Sequence, residues 1–247
     1  MKPAEVGFQN LGATCWMSSL VQAIYACKPL LDRILHNHCQ HPVVIELQMA
    51  LTLLKDRKRI ISSEDGVDLG EGNIISEVDG FYNEVCKLTR TSRGDTGVLT
   101  TFLTQLYGIF NRCGAGEYFF CYYDGRLPYV DVDTTGSANK KSIILKNYIE
   151  ENQSTILDNS SRDIPFIIFC CPNYKTTHIE RIIKIGDHYF KICAIIFGTG
   201  GHFYTITDYG RYDDGTVDYG REPMDKFIET GYDDSKNRKT NGCRKIL

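Results

Sequence analysis

Residues 6–27 read VGFQNLGATCWMSSLVQAIYAC, a glycine-bearing turn that hands over to an apolar helix at Cys15. Asn10 and Gly12 lie in a segment without a sustained apolar period. Trp16, Leu20, Ala23 or Ile24, and Cys27 then recur at three and four residues, the stripe of a buried helix. Thr14 is the expected N-cap. Cys15 falls in the first turn, where unpaired N–H groups and the positive end of the helix dipole favour a thiolate. A reactive nucleophile is one reading of Cys15; a small buried cysteine at an ordinary helix start is the other.

With 247 residues and 42% hydrophobic content, the chain can bury a large core as one elaborate domain or two closely packed subdomains. A net charge of -3 and a pI near 6.1 give no basic field, which argues against nucleic acid as a partner. No run is long and apolar enough for a membrane span, and MKPAEVGF lacks the pattern of a secretory signal. A cytoplasmic or nuclear monomer without a membrane partner is therefore expected. The ten cysteines are scattered through a chain too long to need staples and are expected as thiols. Residues 236–247, with Lys236, Arg238, Lys239, Arg244 and Lys245, read as a basic, frayed tail.

Helices are expected over Lys28–Cys39, Val43–Ile60, Ile74–Leu88 and Val98–Phe110, the last from the stripe Val98, Phe102, Leu106, Phe110. HNHCQH (residues 36–41) is dense in metal-ligand types, but one short segment rarely wraps a tetrahedral ion and no CxxC supplies the other half. Histidines near the carbonyls of a helix end account for it better, so neither metal nor cofactor is expected. The second half changes character. Glu117–Val132 suggests a hairpin around Asp124-Gly125, and Ser142 offers a cap for a helix over Ile143–Glu151. PFIIFCC, IERIIKI, HYFKICAIIF and HFYTIT then read as strands. A helical half followed by a sheet-rich half predicts an α+β fold with a cleft between the layers.

Cysteine chemistry needs a base, an orienting group and oxyanion donors. Of six histidines, His202 follows FGTGG and leads directly into a strand, so it can project from a sheet edge beside closely approaching backbone.

GFQNLGATCWMSSLVQAIY resembles the cysteine box of the ubiquitin-specific proteases, GLxNLGNTCYMNSxLQxL. GHFYTI resembles their histidine box, GHYxxY, and YFKICAIIFGTGG the strand and loop before it. The resemblance implies a papain-like fold of helical thumb, β-rich palm and fingers. Here it implies a single catalytic domain over 1–235, with a thumb to about residue 112 and reduced fingers and palm from about 113. It implies hydrolysis of the bond after the terminal Gly-Gly of ubiquitin, with ubiquitin or ubiquitinated proteins as partners. Position by position, Cys15 is the nucleophile, His202 the general base and Asn10 the oxyanion donor. For the third triad member the family's WxxFDD-like segment leads to Asp218 in DDGTVDYG, with Asp208, Asp213 and Asp214 as rivals. Asp95 aligns with the family's QQDAxEF segment and is expected to meet the substrate tail, as are Gly201 and Phe203 beside the histidine. A binding module of this fold without turnover, or a protease for another Gly-Gly modifier, are the alternatives.

Overall fold

Cys15–Ala26 winds into a first helix, α1, in which Cys15 through Ile24 are all buried. A helix so enclosed must be apolar around much of its circumference and must find partners for its few polar groups. Gln22 donates to the Val6 carbonyl at 2.6 Å, and Ser18 shares a 2.8 Å hydrogen bond with the Tyr82 hydroxyl. Thr14 makes no side-chain cap to the helix. Its hydroxyl accepts from the Leu11 N–H at 3.0 Å and donates to Asn10 Oδ1 at 3.2 Å, so it braces the preceding turn instead.

The computed structural model describes residues 6–12, 14–63, 74–91, 99–115, 128–132, 142–158, 166–171, 176–199 and 202–218, together with 224, 228, 232–233 and 244–246. α2 (Lys28–Leu35), with Pro29 in its first turn, α3 (Pro42–Ser63), α4 (Asp79–Thr89) and α5 (Leu99–Arg112) complete the helical half. α5 buries Phe102, Leu103, Leu106, Ile109 and Phe110. Its Phe102 meets Trp16 edge-on, with centroids 5.9 Å apart, and Phe81 at 6.2 Å. The helix expected from Ile74 begins at Asp79, because Ile74–Ile75 form a short strand, β2, parallel to β1 (Gly7–Phe8). After α2, the ring Nδ1 of His36 lies 2.6 Å from the Asp32 carbonyl, the helix-end arrangement expected for HNHCQH. Cys39 departs from the all-thiol expectation: it is joined in a disulfide to Cys113, just past α5, with a Cα–Cα distance of 5.9 Å.

Among the described residues the largest sheet has seven strands in the order β12-β11-β10-β9-β14-β5-β3. These are β3 (Val130–Asp131), β5 (Phe169–Cys171), β9 (Ala194–Thr199), β10 (His202–Thr207), β11 (Arg211–Asp213), β12 (Thr216–Asp218) and β14 (Arg244–Ile246). Its pairs are antiparallel except β3 with β5. The Asp124-Gly125 turn of the expected hairpin lies outside the described residues. Arg244–Ile246, expected as part of a frayed end, pairs with β9 on one side and β5 on the other. Ser142 does not cap a helix either. Ser142–Ile144 is β4, parallel to β6 (Thr176–His178), and the helix α6 follows as Leu145–Asp158. β7 (Ile182–Ile185) and β8 (His188–Lys191) form a hairpin, and β13 (Tyr232–Asp233) pairs with β6.

Alternation along the strands splits the core in two. Ile168, Cys170, Ala194 and Ile196 join the cluster built on α1 to α5. Their neighbours Ile167, Phe169, Ile195 and Phe197 join a second cluster with Leu145, Ile149 and Ile156 of α6 and Ile183 and Ile185 of β7. Residues 166–170 and 194–197 are buried on both faces, whereas β8 is exposed or half-buried along its length, and the fold is α+β. Across the first layer the Thr205 hydroxyl donates to the Ser19 carbonyl at 2.7 Å, tying β10 to α1.

Candidate active site

The turn before α1 is wound around one side chain. Asn10 Oδ1 accepts from the Gly12 N–H at 2.9 Å, the Thr14 N–H at 3.4 Å and the Thr14 hydroxyl. Gly12 has φ of +96°, a conformation that costs a residue with a Cβ. With its oxygen so engaged, the Asn10 amide nitrogen points outward and donates to Asp214 Oδ2 at 2.8 Å.

Cys15 is 2% exposed. Burial is the largest influence on its thiol and raises its pKa; the Phe203 N–H pulls the other way, the Asp214 charge adds to the rise, and the N–H groups of Trp16 and Cys15 lower it. The helix start thus supplies the donors expected of it, but desolvation outweighs them. Phe203, half-buried against the α1 side of the core, is the residue next to His202, so the start of β10 reaches the sulfur through its backbone.

His202 Nε2 lies 2.5 Å from Asp213 Oδ1. The other carboxylate oxygen of Asp213 accepts from Arg211 at 2.6 Å, and that guanidinium sits 4.2 Å over the Tyr204 ring. The hairpin register explains the meeting. Thr205 pairs with Tyr212 and Ile206 with Arg211, so continuing the ladder sets Asp213 opposite Tyr204, on the same face as His202 and diagonal to it.

Asp218, the sequence expectation for this partner, lies elsewhere. It pairs with Arg211 on β12, level with Ile206, two strands over and four residues along from His202. At a strand rise of roughly 3.3 Å per residue, that is about 13 Å along the sheet from backbone to backbone. Asp208, another rival, binds Arg181 at 2.5 Å and Lys191 at 2.6 Å. Asp95 and Gly201 lie outside the described residues.

Asp214 follows at φ of +51° in the β11–β12 turn. Its carboxyl is raised above its ordinary value by burial, with Asn10 and His202 acting against that and Asp213 adding to it. Oδ1 is buried without a hydrogen-bond partner. The turn is docked on β1: the Phe8 N–H donates to the Asp214 carbonyl at 3.1 Å. A Cβ on Gly7 would stand 2.7 Å from that oxygen, so only glycine admits the approach. His202, Asp213 and Asp214 each offer a ligand atom, all within 4.8 Å of one another, and are the group among the described residues that could hold a cation. Within it Asp213 is hydrogen-bonded to His202, and Asp214 to Asn10.

One turn therefore brings two acidic side chains to the site, Asp213 on the histidine and Asp214 on the asparagine. A family model for ubiquitin carboxyl-terminal hydrolase matches residues 6–181, more than half of the chain. The chain belongs to the ubiquitin carboxyl-terminal hydrolase family. Members are cysteine-type hydrolases that act on ubiquitin substrates. The match includes Asn10 and Cys15 and ends before His202 and Asp213. No curated protein sequence matches the chain significantly. Among the described residues no helix is long and apolar enough to cross a membrane.

Proposed function

We propose that this ubiquitin carboxyl-terminal hydrolase family member is a deubiquitinating protease of papain-like fold, with Cys15 as nucleophile, His202 as general base and Asp213 as the residue that orients His202. α1 to α5 would form the thumb and the seven-stranded sheet the palm. The observation that carries the reading is the join at β10. His202 is held by Asp213, and the next residue's N–H is directed at the Cys15 sulfur.

With its Nε2–H directed to the Asp213 carboxylate, His202 keeps the lone pair on Nδ1 for the Cys15 proton. The thiolate attacks the carbonyl carbon of the terminal glycine, and the negative charge gathers on that oxygen. Asn10 supplies one donor for it. Its amide has two hydrogens: Asp214 engages one and fixes the amide plane, which leaves the other for the oxyanion together with first-turn N–H groups of α1. The imidazolium then protonates the leaving amine and the C–N bond breaks, giving a thioester. Water, deprotonated by the same histidine, hydrolyses that thioester and frees the thiol. Phe203 and Gly201, beside the histidine, and Asp95 are the proposed contacts of the substrate tail.

A second reading, a protein of this fold that binds ubiquitin without cutting it, draws on the raised Cys15 thiol. Steady-state hydrolysis of ubiquitin carrying a C-terminal fluorogenic amide separates the two. The protease reading expects turnover by the intact chain, none by Cys15→Ala, and ubiquitin binding by both. Binding without turnover in the intact chain supports the second. A parallel panel of other Gly-Gly modifiers bearing the same leaving group identifies the preferred one.

A further inference from the structure

The end of α1 remote from Cys15 carries a second pair of cysteines. Cys27 caps α1, its N–H donating to the carbonyls of Ala23 and Ile24, and is 4% exposed. Cys193 lies in the two-residue link between β8 and β9, partly exposed and packed against the same core cluster that contains Cys27. The two side chains are hydrogen-bonded to each other, and the Cys193 thiol also lies 3.6 Å from the Lys191 carbonyl.

Their position in the fold is symmetrical with the site. α1 runs for 12 residues from Cys15, about 18 Å at 1.5 Å per residue, so Cys27 is a full helix length from the sulfur of Cys15. β9 and β10 pair Thr199 with His202 at one end and Ala194 with Thr207 at the other. Cys193, next to Ala194, is therefore at the end of that hairpin away from His202. A bond between Cys27 and Cys193 would join the helix that carries Cys15 to the hairpin that carries His202, at the end opposite both.

We propose that Cys27 and Cys193 form a redox modification site that takes a hydroperoxide as oxidant and closes a disulfide between α1 and the start of β9. The Cys193 thiolate attacks the peroxide oxygen, the O–O bond breaks, and the alkoxide or hydroxide leaves as the alcohol or water after taking up a proton. Cys193 is then a sulfenic acid. The Cys27 sulfur attacks it, the S–S bond forms, the S–O bond breaks, and water leaves with the Cys27 proton. Two thiols and one hydroperoxide thus give one disulfide, one alcohol or water, and one further water.

Local chemistry assigns the order of attack. The hydrogen bond from Cys27 is the largest influence on the Cys193 thiol, and it and the Lys191 charge lower the thiol to about 7, against burial and the Asp208 charge. Cys27 is displaced upward by the same hydrogen bond and by burial, which fits the resolving partner. Cys15 is both less exposed and raised by desolvation. At neutral pH the thiolate an oxidant meets first is Cys193. The site is independent of the role given to Cys15.

The test uses the full chain with Cys113→Ser, which removes the Cys39–Cys113 bond from the readout. The reduced protein is treated with one equivalent of hydrogen peroxide at pH 7, alkylated, and mapped without reduction. A Cys27–Cys193 cross-linked peptide is expected while Cys15 remains alkylatable, with a thermal midpoint that rises on oxidation and returns with dithiothreitol. Cys193→Ser and Cys27→Ala should each abolish the rise. In the reduced state Cys193 should alkylate at least about tenfold faster than Cys15. The proposal is overturned if Cys27 and Cys193 both remain free thiols after the peroxide treatment, whether or not Cys15 is oxidised, or if the midpoint rises equally in Cys193→Ser.

Discussion

Replacing Asp213 by alanine tests which acidic group serves His202. The substitution removes the 2.5 Å contact to Nε2 and the 2.6 Å contact to Arg211. The second is an ion pair between partly exposed side chains, so its loss should cost at most about 1 kcal/mol of stability, and the fold should survive. The first loss frees the imidazole to rotate and to carry its proton on either nitrogen. Displacing the orienting carboxylate of a Cys–His or Ser–His pair is expected to lower kcat by about 10²- to 10⁴-fold, or roughly 2.7 to 5.4 kcal/mol of transition-state stabilisation. Asp213→Asn retains an acceptor and should lose less. Asp218→Ala, two strands away, should stay within about threefold of the parent, as changes remote from a site do. The assay is initial-rate hydrolysis of a fluorogenic ubiquitin amide, with thermal melts as the folding control. A folded Asp213→Ala that keeps near-parental kcat, or an Asp218→Ala that loses it, would refute the geometric assignment.

Gly7→Ala drives a Cβ to 2.7 Å from the Asp214 carbonyl oxygen and should cost about 1 to 3 kcal/mol, read as a lowered melting midpoint, with hydrolysis falling as the turn carrying Asp213 and Asp214 is displaced. Asp214 has a raised folded-state pKa, so the native protein binds that proton more tightly than the unfolded chain does. Its contribution to stability is present below the unfolded value near pH 4 and falls as pH rises through the folded value. Melts of wild type and Asp214→Asn across that range should therefore diverge, with only the wild type losing this contribution. Cys113→Ser opens a link between residues 74 apart and should destabilise the oxidised protein by about 2 to 4 kcal/mol, a difference that reductant removes.

Much of the site could be read along the chain because its pieces are local. Asn10, Gly12 and Cys15 lie within one turn and one helix start, and Asn10 Oδ1 ties Gly12 to Thr14, the residue before Cys15. His202 announced itself by glycines on one side and a strand on the other. Its partner was harder to see, because choosing among Asp208, Asp213, Asp214 and Asp218 requires the register of β10 against β11. The ladder pairs residues whose numbers sum to 417, which sets Asp213 diagonal to His202; the strand pattern of HFYTIT does not contain that sum. Asp214 had no signal beyond its neighbour, since its role depends on Gly7 admitting the turn. Misread elements share a cause. Ile74–Ile75, Ser142–Ile144 and Arg244–Ile246 are two or three residues each, too short for periodicity to reveal, and they become strands because a partner strand passes beside them. Cys39 and Cys113 likewise meet only because the α2–α3 loop passes beside the end of α5.

Ubiquitin bearing a C-terminal alkyne electrophile reports whether Cys15 attacks the ubiquitin C-terminus. Incubation followed by intact mass and peptide mapping should give a single adduct on the peptide containing Cys15, slowed in His202→Ala and absent in Cys15→Ala. An adduct on another cysteine, or undiminished labelling of Cys15→Ala, would contradict attack by Cys15.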